Sequence, residues 1–323
     1  MTCELGKPLE TIIVTKSESK IPRSARSTYG VGRWAIESDL PLPALHPWAA
    51  ARLTETTIRV VAQRKPTTGS GKGTTFYAGS GWIGSSDRAI ECRTVPDGYE
   101  LRVAGAGVFA VDADGGRIIV ADRDQEAAPE LVAEVIVGPA LILAMALQGT
   151  FCLHASAVEV DGAAVLFVGE SGAGKSTLGD QLARTGIGRR LADDVLPLTI
   201  EGGRAFCLPH YPQLKLSPQE QIDSTVPERI PVRGIYDLWQ LGATDDLQVR
   251  RPAPREMVQR LIRHTVASRL FDRQLLANHL RFCSALASAT RVFNLYYPHR
   301  RDSIPEVLRL LKDQPQGRPG GEE

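Results

Sequence analysis

From residue 169 to residue 177 the chain reads Gly-Glu-Ser-Gly-Ala-Gly-Lys-Ser-Thr, a match to the pattern GxxxxGK[ST]. The chemistry of that pattern is phosphate binding. Glycines at 169, 172 and 174 let backbone N–H groups turn inward around anionic oxygens, and the helix that follows aims the positive end of its dipole at the same point. Gly169, Ser171, Gly172, Ala173, Gly174, Lys175, Ser176 and Thr177 are thus the expected cradle for ATP, with Lys175 reaching the β and γ phosphates and the Ser176 hydroxyl holding Mg2+. The flanks agree with this reading. AAVLFV before the motif is an apolar strand, and TLGDQLARTG after it is a helix ending at Gly186.

Farther along stands Asp193-Asp194, at the end of the apolar-flanked segment RRLADD on what should be the neighbouring strand. Carboxylates at the C-terminal end of a parallel strand face the ligand crevice, where one can hold magnesium and the other can accept a proton from an attacking hydroxyl. The plainer alternative is a solvated turn of two acids. His154 has two readings as well, a satisfied core residue or a partner in proton transfer. Its strand FCLHASAVEV and the strand AAVLFVG flank Asp161-Gly162, a strong two-residue hairpin signal. That register sets Val160 opposite Ala163 and Ser156 opposite Phe167, and carries His154 to the level of Gly169. A second glycine-rich stretch, Gly69 to Thr75, fits the phosphate pattern poorly because Gly73 follows Lys72 and no buried strand precedes it. A hairpin connection is expected there.

These residues need elements to hold them. Residues 1–30 are polar and read as a loosely docked arm. Residues 31–125 alternate short apolar runs with Asp-Gly and Gly-Gly turns, the pattern of a small antiparallel β unit. Residues 126–313 carry the phosphate-binding unit, opening with a helix from Pro129 that restarts at Pro139 and closes at Gly149, and ending in helices after Pro252 with a late strand at RVFNLYYP. Residues 314–323 lack apolar content and read as a disordered tail. The expected class is α/β, a phosphate-loop core with an N-terminal antiparallel β unit and C-terminal helices.

The 38 Lys and Arg against 37 Asp and Glu leave no global charge to draw the chain toward nucleic acid or anionic lipid. Five dispersed cysteines with no CxxC pair fit neither a disulfide framework nor a zinc site, and suit a reducing cytoplasm. The N-terminus has no secretory pattern, and the apolar run Val135 to Leu147 is too short to span a bilayer and is broken by Gly138-Pro139. A local cationic patch does exist: Arg251 to Arg281 holds seven arginines against Glu256 and Asp272. Arg255 and Arg263, with Arg260 or His264, could share a helical face and receive a phosphate or an acidic peptide, although a solvated face is the commoner outcome.

The succession LHASAVEVDG, GESGAGKST and LADD resembles the catalytic core of the HPr kinase/phosphorylase family, over about Gly149 to Leu198. The resemblance implies a mixed sheet of the kind that family shares with PEP carboxykinases. It also implies a serine kinase in which His154 and Asp193, with Lys175, act in catalysis while Asp194 and Ser176 sit near the metal. PHYPQLKLSPQ is similar to a stretch of the small relatives and implies that Lys215 lines the site; Arg233 lies in a segment similar to the family's ExRGLG loop. Pro231 stands there at the acidic position and Tyr236 in place of the last glycine, a departure that points away from HPr and from phosphorylase activity. The implied partner is a peptide or small protein bearing the acceptor serine, as for the kinases that tailor lasso-type precursors, and the family's hexamers imply a homo-oligomer. A small-molecule kinase and a non-catalytic nucleotide switch are the competing readings.

Overall fold

The computed structural model describes residues 26–49, 56–62, 73–214, 216, 220, 222, 225–242, 246–298 and 304–313. Its first sheet contains β1 (Ser27–Val31), β2 (Trp34–Ser38), β3 (Thr56–Ala62), β4 (Thr74–Ile83), β5 (Ser86–Val95), β6 (Gly98–Val103), β7 (Gly107–Asp112) and β8 (Arg117–Arg123). They lie in the order β1-β2-β3-β8-β7-β6-β5-β4. From β4 to β8 the chain is an antiparallel meander; its turns at Asp97-Gly98 and at Asp114 to Gly116 fall on Asp-Gly and Gly-Gly signals, and the other two fall at Gly84-Ser85 and around Gly105.

Two expectations for this region are corrected. The sheet is mixed, because β3 runs parallel to both β2 and β8. The chain leaves β2 through a 3-10 turn at Pro43–Trp48 that buries Leu45 and Trp48, a crossover that lets the next strand start in the same direction. Ser27 to Gly30, read as part of the polar arm, are strand, paired with β2 and anchored by the buried Tyr29. The glycine-rich stretch up to Lys72 and the tail 314–323 lie outside the described residues.

Pro129 opens α1 (Pro129–Val135), and the chain then breaks before α2 (Leu141–Leu147). Gly138 leaves helical geometry at φ −93°, ψ −110°, beside Pro139, which has no N–H to donate. The Tyr211 hydroxyl donates to the Val137 carbonyl at 2.5 Å across this kink. Among the described residues Pro129–Leu147 is the one helical stretch long and apolar enough to cross a membrane, and 67% of its most apolar window is buried inside the fold.

The second sheet is built from β9 (Phe151–Val160), β10 (Ala163–Val168), β11 (Arg189–Glu201), β12 (Arg204–Cys207), β13 (Ile230–Leu241), β14 (Gln248–Arg250) and β15 (Arg291–Pro298). Between them run α3 (Lys175–Arg184), α4 (Pro254–Arg263) and α5 (Arg273–Ala289), and α6 (Ile304–Asp313) follows. The strand order is β10-β9-β11-β12-β13-β15-β14, and the sheet curls so that β10 also pairs in parallel with β13. Parallel pairing joins β10 to β13 and β13 to β15, and the other neighbours are antiparallel, so this sheet too is mixed.

β10 is buried on both faces, hence its unbroken apolar sequence. Val165 and Phe167 pack with Leu178 and Leu182 of α3 and Val307 of α6, whereas Ala164, Leu166 and Val168 belong to the main core with Met257 and Leu261 of α4 and Leu286 of α5. That main core is continuous from Trp34 and Ile58 of the first sheet, through α1 and α2, to Leu196 and Val292 of the second. The four cysteines among the described residues are free and buried, and burial raises the Cys152 thiol and pushes those of Cys92, Cys207 and Cys283 up to about 12.

Candidate active site

The loop 169–174 leaves β10 and enters α3 in the strand–loop–helix order its glycines imply. Gly169, Gly172 and Gly174 take φ of +147°, +81° and +89°, conformations that L side chains rarely adopt. At Gly174 the reason is also steric, since a Cβ would lie 2.2 Å from the Tyr297 hydroxyl, which donates to the Ala173 carbonyl at 2.5 Å. Gln240, the cross-strand neighbour of Tyr297, braces the loop as well, its side-chain amide donating to the Gly172 carbonyl at 2.8 Å. Lys175 Nζ lies over the loop, donating to the carbonyls of Gly169 at 2.9 Å and Glu170 at 3.0 Å. The result is an electropositive concavity at a helix N-terminus, the arrangement that receives phosphate oxygens.

A cavity of about 230 Å³ opens in front of this loop, lined by Ser171, Gly172, Gly174, Lys175, Ser176 and Thr177 on one side and by His154, Ser156 and Asp193 on the other. The hairpin register that carries β9 to this place is the expected one, from Val160–Ala163 through Ser156–Phe167. It ends there. β10 turns away into the glycine loop, and the vacated edge of β9 is taken by the segment after α4: His154 N–H donates to the His264 carbonyl at 2.7 Å and Val266 N–H to the Cys152 carbonyl at 2.8 Å. His154 therefore sits level with His264 rather than paired to Gly169.

The two acids are placed differently from expectation. β11 runs antiparallel to β9 and continues to Glu201, so Asp193 and Asp194 lie within a strand, opposite Ser156 and Ala155, and not at the end of a parallel one. Their side chains go to different neighbours. Asp193 faces the cavity, where its Oδ1 is buried without a hydrogen bond. Asp194 turns to His154, with Oδ1 3.0 Å and its own backbone oxygen 3.1 Å from Nδ1. Both of these atoms are acceptors, so Nδ1 carries a proton, and the tautomer this selects has its lone pair on Nε2. His154 and Asp193, the two residues expected in catalysis, both line the cavity; of the two expected near the metal, Ser176 lines it and Asp194 is bonded to His154.

Gln213 holds the acids in place. It is 1% exposed; its Oε1 accepts the N–H groups of Asp193 and Asp194 at 2.9 and 3.0 Å, and its Nε2 donates to Val195 and Tyr211 carbonyls at 2.8 and 3.0 Å. Here β12 does not yet pair with β11, and one amide side chain substitutes for the missing strand. The PHYPQLKLSPQ segment thus contributes Gln213 to the site, while Lys215 lies outside the described residues.

A buried charge cluster adjoins the loop. Asp237 of β13 is paired with Val168, the residue before Gly169. Its carboxylate accepts from Arg260, lies 3.3 Å from His264 Nε2 and accepts from Trp239 Nε1 at 3.2 Å. Burial alone would raise the Asp237 carboxyl, but hydrogen bonds and charge from His264 and Arg260 outweigh it and hold it below the usual carboxylate range. On the same helical turn as Arg260, Arg263 pairs with Glu170 of the glycine loop at 2.7 Å in an exposed ion pair. Of the arginines singled out by sequence, Arg263 is therefore at the loop. Arg255 is exposed at the opposite end of α4. Arg233 is at the wrong end of β10: it donates to the Val160 carbonyl at 3.0 Å beside the Asp161 turn, a full strand away from the loop. Asp237, Gln213 and Tyr297 carried no local sequence signal; their roles come only from strand pairing.

No family model matches this chain, and no curated protein matches it. Among solved structures it is similar to the HPr(Ser) kinase/phosphatase from Coxiella burnetii, at 16% identity and a TM-score of 0.30, over 50% of this chain and 88% of that one. An overlap that loose carries no functional argument; the geometry of the site and its motifs do.

Proposed function

We propose that the chain is an ATP-dependent kinase that transfers the γ-phosphoryl group to a serine hydroxyl of a peptide or small protein. The observation that carries this reading is the shared cavity: the glycine loop with Lys175 and Ser176 forms one wall, and a carboxylate and an oriented histidine form the other. The order of His, glycine loop and paired acids, which resembles the HPr kinase/phosphorylase core, supports it.

The residues fit a magnesium nucleotide. Asp193 Oδ1 is an enclosed anionic atom without a partner, across the cavity from the Ser176 hydroxyl, and together they would hold Mg2+, whose charge when bound neutralises phosphate oxygens. No group of three or more His, Cys, Asp or Glu is gathered for a metal among the described residues, which suits an ion that keeps waters and phosphate oxygens as most of its ligands. Lys175 and the loop amides bind the β and γ phosphates. The acceptor hydroxyl gives its proton to His154 Nε2 as its oxygen bonds to the γ-phosphorus and the bond to the bridging oxygen breaks, leaving ADP. Asp194 holds the ring in the tautomer that can do this and stabilises the imidazolium that results. Free, buried thiols suit a reducing cytoplasm.

The test is mass spectrometry of candidate acceptors, beginning with short peptides encoded beside the gene, after incubation with ATP and Mg2+. A serine heavier by about 80 Da supports the reading. ATP hydrolysed at the same rate with every acceptor, and no phosphoserine formed, contradicts it.

A further inference from the structure

A second cavity, of about 300 Å³, lies close to the catalytic end of β9 and has mainly apolar walls. Trp82 and Ile83 of β4, Pro139 and Ile142 at the kinked helix pair, and Leu214 and Val266 from two connections line it. Trp82 is 76% exposed and Leu214 46%, so large apolar groups stand in water at its rim.

β4 is an edge. Among the described residues it pairs only with β5, and its free side presents a row of backbone N–H and C=O groups beside the cavity. Edge strands usually refuse partners with charges or proline, yet Thr-Thr-Phe-Tyr-Ala-Gly-Ser-Gly-Trp-Ile carries neither. The charge balance points to the kind of partner. Glu134, the cavity's acid, already accepts the Gly84 N–H at 2.8 Å, whereas Arg269 has no hydrogen bond or ion pair among the described residues.

The place of the cavity is equally informative. Leu214 follows Gln213, which holds both acids, and Val266 N–H bonds to Cys152, two residues or about 7 Å of extended chain from His154.

We propose that the edge of β4 and this cavity dock the acceptor polypeptide. An extended segment adds to β4 as a strand, seats one large apolar side chain between Trp82, Ile142 and Val266, and lays an acidic residue against Arg269. The acceptor hydroxyl then lies roughly three to five residues along the segment. The inference rests on the peptide-kinase reading above, but it is tested by binding alone.

The probe is a pool of peptides of about ten residues, randomised around a fixed Leu-Asp pair, added to the full chain while amide hydrogen exchange is followed by mass spectrometry. Exchange across Thr74–Ile83 slows, and it does not slow with the same pool N-methylated at alternate amides. Arg269→Glu and Trp82→Ser, both at exposed positions, weaken the protection roughly tenfold. Unchanged exchange in β4 at saturating pool, or equal protection in Arg269→Glu, overturns the proposal. MgATP binding measured on the same samples keeps the two ideas apart: all three chains bind it alike, and failure of the parent to bind it sinks the kinase reading while leaving the docking result to stand.

Discussion

At the scale of single residues, two adjacent acids divide the labour. Asp194 orients His154 and Asp193 faces the glycine loop, so their substitutions should separate. His154→Gln should keep MgATP affinity and lower the transfer rate by about 10²- to 10⁴-fold, and Asp194→Asn should follow it in direction because the ring loses its partner. Asp193→Asn should instead weaken the magnesium dependence of ATP binding, as read by titrating Mg2+ at fixed ATP. An Asp193→Asn enzyme with normal Mg2+ dependence and no transfer would make Asp193 the base and the histidine a bystander. The loop was legible in the sequence because its pattern needs only contiguous residues. The partner of His154 was not legible, because it depends on β11 running antiparallel to β9 in a register that sets Asp194 beside a histidine 40 residues earlier in the chain.

At the scale of elements, the helix after the loop approaches β9 closely enough to restrict both. A Cβ on Gly179 would lie 2.3 Å from Ser156 Oγ, so Gly179→Ala should push α3 off the strand, cost about 1–3 kcal/mol and reduce ATP affinity with it. Adding Ser156→Gly should restore part of both losses, measured by denaturant unfolding and ATP titration; no restoration would mean that the contact does not set the helix position. α4 works the same way from the other face: its last turn ties the end of β13 through Arg260 and His264 and the loop through Arg263. The hairpin of β9 and β10 was readable to the residue because Asp161-Gly162 fixes its register, with φ of +50° and +76° in the turn. The direction of β11 and the position of Arg233 were not, since nothing local distinguishes a parallel neighbour from an antiparallel one or one end of a buried strand from the other.

At the scale of the whole molecule, two mixed sheets share one core, and the apolar periodicity that located the strands said little about how those sheets join. The shared core implies that the full chain unfolds in one calorimetric transition and that residues 126–323 alone do not reach the same fold; two separated transitions would contradict this. Acid should loosen the molecule from within. His279 of α5, packed against Phe151 and bonded to Thr265 at 2.8 Å, has its pKa lowered by burial from 6.5 to about 4. The unfolded chain protonates it below 6.5 and the folded chain does not, so the stability tied to its neutral form is complete above 6.5 and is lost as the pH falls toward 4. His279→Gln should flatten that slope in pH-dependent melting. The claim that a loop, a carboxylate and a histidine from three segments form one nucleotide site is tested most directly by calorimetric titration of MgATP into the parent, Lys175→Ala and His154→Gln chains. Tight binding is expected in the parent and in His154→Gln, with a loss of roughly a hundredfold or more in Lys175→Ala; equal affinity in all three, or none in the parent, would contradict it.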